Sequence, residues 1–141
     1  MKKTLLILFI LGIFSPTCKK ISKYPIRMNG IWYAPHSNCG MVIEIDANGY
    51  GRRFGAKTDK GCNNGNEHGK VKFTKHKLYI GYSNYKIIEE PGYSTDHDSI
   101  IAPVIDNIGE VKKYKVYAIM KLRDSFFNGK NEEIYYKYME Y

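Results

Sequence analysis

Cysteine and histidine are the residues of this 141-residue chain whose types and spacing could do chemistry. Two pairs stand close together, His36-x-x-Cys39 and Cys62-x₅-His68. Two thiolates and two imidazoles can hold a tetrahedral zinc ion, although the second spacing is loose for such a site. The competing chemistry is a disulfide between Cys39 and Cys62, which an oxidising compartment would favour. The choice therefore depends on where the protein resides.

The first residues of the chain have the pattern of a secretory signal. Lys2 and Lys3 precede an apolar run that ends at Phe14, and the helix-breaking pair Ser15-Pro16 follows. The run is about half of the ~20 residues that a membrane-spanning helix needs. We predict that residues 1–17 are a signal peptide that is removed.

The third cysteine, Cys18, stands directly after this segment. The sequence Ser15-Pro16-Thr17-Cys18 resembles the lipobox of bacterial lipoproteins, in which the cysteine at the cleavage point takes a diacylglycerol. Each buried CH₂ of such an anchor contributes about 0.8 kcal/mol to membrane binding. We predict that Cys18 is lipidated (palmitate or a similar acyl chain) and that residues 18–28 are a tether. Plain secretion without lipid is the alternative.

The predicted location is therefore the bacterial cell envelope, periplasmic or surface-exposed, with the membrane as partner through the anchor. If Cys18 carries lipid, Cys39 and Cys62 remain in an oxidising compartment and can pair. Their bridge would close a loop of roughly 24 residues, worth about 3 kcal/mol in the chain-entropy model. We expect this disulfide, no metal and no cofactor.

The charge of the chain gives only a weak indication of a partner. Removal of residues 1–17 takes away two lysines and no acid, which lowers the net charge from +8 to about +6. A basic surface attracts anionic lipids, polyanionic glycans or an acidic protein. The lysines are scattered along the sequence, and an exported protein is not expected to bind nucleic acid. Solvation of the surface is the simplest interpretation.

Strand signals dominate residues 29–141, without a convincing helix of ten or more residues. Alternation and turn residues, such as Asn48-Gly49, predict these segments: a strand at 29–34, a hairpin at 40–55, a loop at 58–69, a hairpin at 70–83, a strand at 84–90 that Pro91-Gly92 ends, an edge or bend at 99–106, a long strand at 112–124 and a last strand at 132–141. We predict one all-β domain over 29–141. Its fold is an antiparallel up-and-down β-barrel or strongly curled meander of about eight strands.

Gly30-Ile31-Trp32, at the start of the first predicted strand, resembles the G-x-W motif of lipocalins, whose tryptophan closes one end of a barrel. The resemblance covers roughly residues 27–141 and indicates a small bacterial lipocalin-like (calycin-type) lipoprotein. It implies a late arginine over the tryptophan, for which Arg123 is the nearest counterpart. It also implies a small apolar or amphiphilic ligand inside the barrel. The predicted ligand-binding residues are Trp32, Met41, Ile43, Phe73, Leu78, Val116 and Met120.

Catalysis finds no support in the sequence. It contains no G-x-S-x-G, no H-E-x-x-H and no glycine-rich phosphate loop, so we expect a protein that is not an enzyme. The alternative function is that of a protein-binding inhibitor or immunity-type lipoprotein, acting through the loops at 36–39 and 58–69. The thirteen tyrosines fit either an aromatic binding surface or, more simply, strand packing.

The expected disulfide gives a direct test. Cys39 and Cys62 of the folded mature protein should resist alkylation until a reductant is added, because paired sulfurs are not nucleophilic thiolates. Counting of free thiols before and after reduction measures this. Two freely alkylated thiols on unreduced, metal-free protein would contradict the bridge.

Overall fold

The computed structural model describes residues 27–35, 40–56, 66–94, 99–105, 109–124 and 131–141. The predicted signal peptide, most of the tether and the loop at 36–39 lie outside the described residues. So do all three cysteines, and with them the lipidation, disulfide and zinc hypotheses. None of the described residues form a helix with the length and apolar character needed to cross a bilayer.

The described residues form ten strands joined into one barrel and one added hairpin. The strands are β1 (Gly30–Ala34), β2 (Gly40–Ile45), β3 (Tyr50–Ala56), β4 (Glu67–Phe73), β5 (Lys77–Ile80), β6 (Ser83–Tyr93), β7 (Ser99–Pro103), β8 (Val111–Lys115), β9 (Ala118–Asp124) and β10 (Glu132–Met139). Eight of them close an antiparallel barrel in the order β1-β10-β9-β6-β5-β4-β3-β2. The all-β prediction and the antiparallel barrel are confirmed.

The first hairpin shows how local sequence sets the register. Asp46 Oδ1 accepts hydrogen bonds from the backbone N–H groups of Asn48 (2.8 Å) and Tyr50 (2.9 Å). Gly49 adopts a positive φ of 81°, which glycine tolerates without strain. The Asn48-Gly49 turn is therefore confirmed, and it pairs Ile43 with Arg53 across β2 and β3.

Alternation along the strands divides the apolar side chains between two clusters. The inner cluster fills the barrel and consists of Met28, Trp32, Ala34, Met41, Ile43, Ile45, Leu78, Ile80, Tyr85, Ile87, Ala118, Met120, Leu122 and Tyr135, with Val71 and Phe73 packed against it. The outer cluster lies beneath the β7–β8 hairpin and is built on Ile31, Val42, Ala56, Ala102 and Tyr138. Both faces of β1 and β2 are thus buried.

The β7–β8 hairpin is inserted between barrel strands β6 and β9 and packs on the outside of the barrel. Ala102 is buried in the outer cluster, and the Tyr138 hydroxyl of β10 donates a hydrogen bond to the Pro103 carbonyl (3.0 Å). The ring centres of Tyr114 and Tyr138 lie 4.7 Å apart. The prediction of an edge position for Pro103 is confirmed, because it ends a strand of a two-stranded sheet.

Two strand predictions were wrong. The segment 112–124 is not one strand, since Val116 and Tyr117 separate β8 from β9 and the Tyr117 N–H bonds to the Lys137 carbonyl (2.8 Å). Pro91 does not end β6, which continues to Tyr93. The pairing of β6 with β9 is irregular between Glu89 and Gly92, and such a bulge tolerates a residue without an N–H.

One loop boundary also differs from the prediction. The loop expected at 58–69 is shorter at its C-terminal side, because β4 begins at Glu67. Glu67 pairs with Arg53 and Gly69 with Gly51, which extends the barrel over the last residues of the expected loop.

Gly30 is a position where the fold requires glycine. Its φ is 126°, and an added Cβ would lie 2.0 Å from the Met139 carbonyl oxygen and 2.9 Å from Lys137 Cε. We expect Gly30→Ala to lower the free energy of unfolding by about 2 kcal/mol or more, measured by urea denaturation. The matched control is Gly92→Ala, whose Cβ would meet only the Glu90 carbonyl oxygen at 3.9 Å. A change above about 0.5 kcal/mol in the control, or none at Gly30, would contradict this account.

Candidate functional site

The candidate site is the end of the barrel at which β1 begins and β6 ends, here called the mouth. Trp32 lies fully buried beneath it, and its indole Nε1–H donates to the Met28 carbonyl (3.0 Å). The Asn29 side-chain amide donates to the Asp46 carbonyl (3.0 Å). Residues 27–29 therefore extend across the mouth, held by β1 and by the first turn.

A buried lysine lies above Trp32. Lys137 of β10 is 1% exposed, and its Nζ lies 6.0 Å from the centre of the Trp32 ring. Nζ donates to the Arg27 carbonyl (2.6 Å) and to Glu140 Oε1 (3.0 Å). Burial lowers the pKa of Lys137 below its usual 10.5, and the hydrogen bond with Glu140 opposes that effect.

Lys137 corrects one prediction made from the lipocalin resemblance. Arg123 does not cover Trp32; it lies on the outer face of β9, where it forms an ion pair with Glu132. Lys137 faces inward, as Tyr135 does, and contacts the tryptophan instead. A basic residue at an inward position of the last strand was the sequence signal, and sequence reasoning missed it.

A cavity of about 550 Å³ opens at the mouth above Lys137. Its lining combines three basic side chains, one acid, two tyrosines, one serine and two small apolar side chains: Arg27, Tyr93, Ser94, Lys115, Val116, Tyr117, Ala118, Lys137 and Glu140. The Lys115 ammonium lies 5.7 Å from the centre of the Tyr117 ring. This lining suits a ligand with an anionic group and an apolar body.

The seven predicted ligand-binding residues fall into different places. Val116 lines the mouth cavity, whereas Phe73 packs half-buried against the inner cluster. The other five belong to the inner cluster itself, at 0–3% exposure: Trp32, Met41, Ile43, Leu78 and Met120. Because these five side chains present almost no accessible surface, a ligand could reach them only by displacing packed groups. Their contact with a ligand stays a prediction.

A polar group of side chains closes the opposite end of the barrel. The Arg53 side chain is largely buried, and its guanidinium carbon lies 5.1 Å from the centre of the Tyr85 ring. Its Nη2 lies 3.6 Å from Asp124 Oδ2 and 3.7 Å from Glu133 Oε2. The Tyr135 hydroxyl accepts a hydrogen bond from Arg53 Nε (3.4 Å) and donates to Glu133 (2.7 Å).

Sequence reasoning did not find this Arg53 group, although a signal existed. Arg53 has the same parity as Gly51 and pairs with Ile43 of the inner cluster, so alternation along β3 places this charged residue at an inward position. The charge balance of one guanidinium with two carboxylates leaves no excess positive charge there for an anionic ligand. We therefore regard this end as a structural closure.

Metal binding finds little support in the described residues. Across those parts of the chain, no group of three or more His, Cys, Asp or Glu side chains is arranged to hold a metal ion. His68, one of the four residues of the zinc hypothesis, lies exposed on the outside of β4. The other three, His36, Cys39 and Cys62, lie outside the described residues.

Comparisons of the chain with protein-family models, with curated proteins and with solved structures find no match in any of the three. The architecture itself defines the class of the protein. It is a closed eight-stranded antiparallel β-barrel, which is consistent with a lipocalin-like fold.

The buried tyrosines predict a loss of stability in alkali. Burial raises the pKa of four tyrosines above the usual 10.0: Tyr33, Tyr85, Tyr135 and Tyr138. Above about pH 10 the unfolded chain loses these protons while the folded chain keeps them, so the free energy of unfolding falls as pH rises. Lys137 has the opposite effect on the free energy of unfolding up to about pH 10.5, its usual pKa, because burial lowers its pKa in the folded chain. It is one group against the four tyrosines.

The measurement is urea denaturation across alkaline pH, together with tyrosinate absorbance. Tyr135→Phe should give a shallower fall of stability above pH 10 than the wild type. Tyr82→Phe is the control, because Tyr82 is exposed at the β5–β6 turn and should leave the slope unchanged. Equal slopes for both variants would refute the assignment.

Proposed function

We propose that the protein is a lipid-anchored, non-enzymatic binding protein of the bacterial cell envelope, a lipocalin-like lipoprotein. Its ligand is a small amphiphile with an anionic head, and the ligand binds at the mouth of the barrel. The observation that carries this proposal is the basic, tyrosine-lined cavity above Lys137. The proposed function involves no catalytic step and requires no cofactor.

The packing of the barrel supports a site at the mouth over a site deep inside. Leu78 and Met120, two of the side chains expected to contact an apolar ligand, are 0% exposed. A ligand in their place would have to displace packed side chains, which costs several kcal/mol in a core of native density. The mouth offers a volume that already exists and lies within the ~300–1,000 Å³ of small-molecule sites.

The chemistry of the lining supports an anionic head. Lys137 already bonds to Glu140 and the Arg27 carbonyl, so its charge is partly balanced. Arg27 and Lys115 add two further positive charges at the rim. A carboxylate or phosphate between them would make charge-assisted hydrogen bonds, while its hydrocarbon would lie on Val116 and the ring of Tyr117.

The proposed anchor would hold this cavity close to a source of amphiphiles. Arg27 lines the cavity and follows Cys18 by nine residues. Nine residues span at most about 32 Å when fully extended. A lipidated Cys18 would therefore keep the mouth within that distance of the membrane surface.

One observation favours the alternative of a protein-binding inhibitor. Gly40 and Ala56 are register partners at the end of the barrel opposite the mouth. Cys39 directly precedes Gly40, and Cys62 follows Ala56 by six residues. The chain segments that carry the two cysteines therefore join the barrel at the same pair of register partners. A Cys39–Cys62 disulfide would fasten these loops together on the side away from the anchor, where a protein partner has access.

The proposed function predicts a head-group preference. A chain of residues 19–141 holds all ten strands and the segment at 27–29, and it can be titrated without detergent. Trp32, the single tryptophan, reports binding by its fluorescence. Dodecanoate should bind at least about tenfold more tightly than dodecanol, and Arg27→Gln or Lys115→Gln should each weaken dodecanoate binding about tenfold.

Lys113→Gln is the matched control, since Lys113 lies on the same strand as Lys115 but does not line the cavity. Equal affinity for the acid and the alcohol would contradict the mouth site. Native mass spectrometry of protein extracted from its own membrane should show a retained amphiphile and an acylated, trimmed chain. An untrimmed and unlipidated mass would contradict the proposed anchor.

A further inference from the structure

Lysines that are scattered in the sequence gather on one outer face of the barrel. The outward side chains of β4 include Lys70 and Lys72, and those of β5 and β6 include Lys77 and Lys86. Their neighbours in the chain, such as Val71 and Leu78, face inward and pack in or against the inner cluster. Alternation therefore places all four ammonium groups on the solvent side of three adjacent strands.

The strand register brings these lysines together around one tyrosine. Lys72 is the register partner of Tyr79, and Lys77 is the direct partner of Lys86. Directly opposite Cβ atoms lie about 5 Å apart, and residues i and i+2 of a strand lie about 7 Å apart. We call this surface the lysine face, and it consists of Lys70, Lys72, Lys77, Tyr79 and Lys86.

The lysine face has no compensating negative charge among the described residues. Lys112, Lys121 and Lys137 each have a glutamate carboxylate 3.0 Å away, whereas no ion pair involves a lysine of this face in the described part of the chain. The acid of β4, Glu67, faces inward and bonds to Tyr85. Like charges placed directly opposite destabilise a sheet, so the fold carries a repulsion that an anionic partner would relieve.

The composition of the face indicates the class of that partner. Protein interfaces are depleted in lysine and use apolar and aromatic anchors, and surface insertion into a membrane also needs apolar side chains. The exposed aliphatic side chains lie elsewhere in the described structure, on β7, β8 and β10. The exposed rings near the face belong to Tyr50, the register partner of Lys70, and to Tyr82 in the β5–β6 turn.

We propose that the lysine face binds a linear anionic polysaccharide. Its carboxylate or phosphate groups pair with the four ammonium groups, and its sugar rings lie against the tyrosines. No residue of the lysine face lines the mouth cavity, so this surface is separate from the proposed amphiphile site and goes beyond it. The attraction is electrostatic, and the affinity falls as salt rises, because salt screens the charges and makes the release of the polymer's condensed counterions less favourable.

The experiment uses the mature protein purified from the cells that make it, in a neutral detergent. Binding is measured to polygalacturonate and to poly(glycerol phosphate), with dextran of equal size as the neutral polymer. At least one anionic polymer should bind, dextran should not, and affinity should fall with salt. The double variant Lys72→Gln/Lys77→Gln should lower affinity at low salt at least about tenfold and reduce the salt slope by roughly two.

The control is Lys112→Gln/Lys113→Gln, which removes the same charge from the β7–β8 hairpin. It should keep the wild-type affinity, and the lysine-face variant should unfold at an equal or higher urea concentration. An equal loss in both double variants would overturn the proposal, because net charge alone would then explain binding. Binding to single-stranded DNA but to neither polymer would overturn the assigned partner class.

Discussion

The pairing of β1 with β10 is the constraint on which the closure of the barrel depends, and Lys137 packs against Trp32 across it. It joins the first and last barrel strands, and it is possible because Gly30 has no side chain to separate β1 from β10. A buried ammonium is costly unless it is hydrogen-bonded, and its partners here are the Arg27 carbonyl and Glu140. Those two residues also stand at the rim of the mouth. The interaction that closes the barrel therefore also builds the candidate site.

The interior is apolar in the middle and polar at both ends. Lys137 lies at the mouth, and Arg53 with its carboxylates lies at the far end. Between them the packed side chains leave no accessible surface around Ile43 or Leu78. A barrel of eight strands is just wide enough for side chains to fill it. Ligand binding by this protein, as we propose it, is consequently a property of its rim and of its outside.

The elements that local pattern determines were predictable from the sequence. Alternation in 40–45 and the Asn48-Gly49 turn were sufficient for the first hairpin, because both depend on neighbours a few residues apart. The lysine face was not predictable from spacing alone. Lys77 and Lys86 are neighbours only through the register of β5 and β6, which a count of charges along the chain does not contain.

The errors have the same physical origin. The cation at Trp32 was not predicted: the lipocalin resemblance offered only Arg123 as the nearest counterpart of the family's arginine, whereas position in the closed sheet makes it Lys137. The expected strand at 112–124 is broken because Val116 and Tyr117 must turn the chain from the outer hairpin back into the barrel. Tertiary closure overrides a continuous local alternation at such a point.

The way in which the chain enters β1 has a mechanical consequence. The strand begins at Gly30, directly after the segment that leads to the proposed anchor, and it is bonded to β2 on one side and to β10 on the other. A pull on the proposed anchor that is directed along the axis of β1 would load this strand from its first residue. Both rows of backbone hydrogen bonds would then be sheared together instead of being peeled apart one rung at a time. If the proposed anchor holds the chain at this end, the barrel would resist such a pull without unravelling from its attachment point.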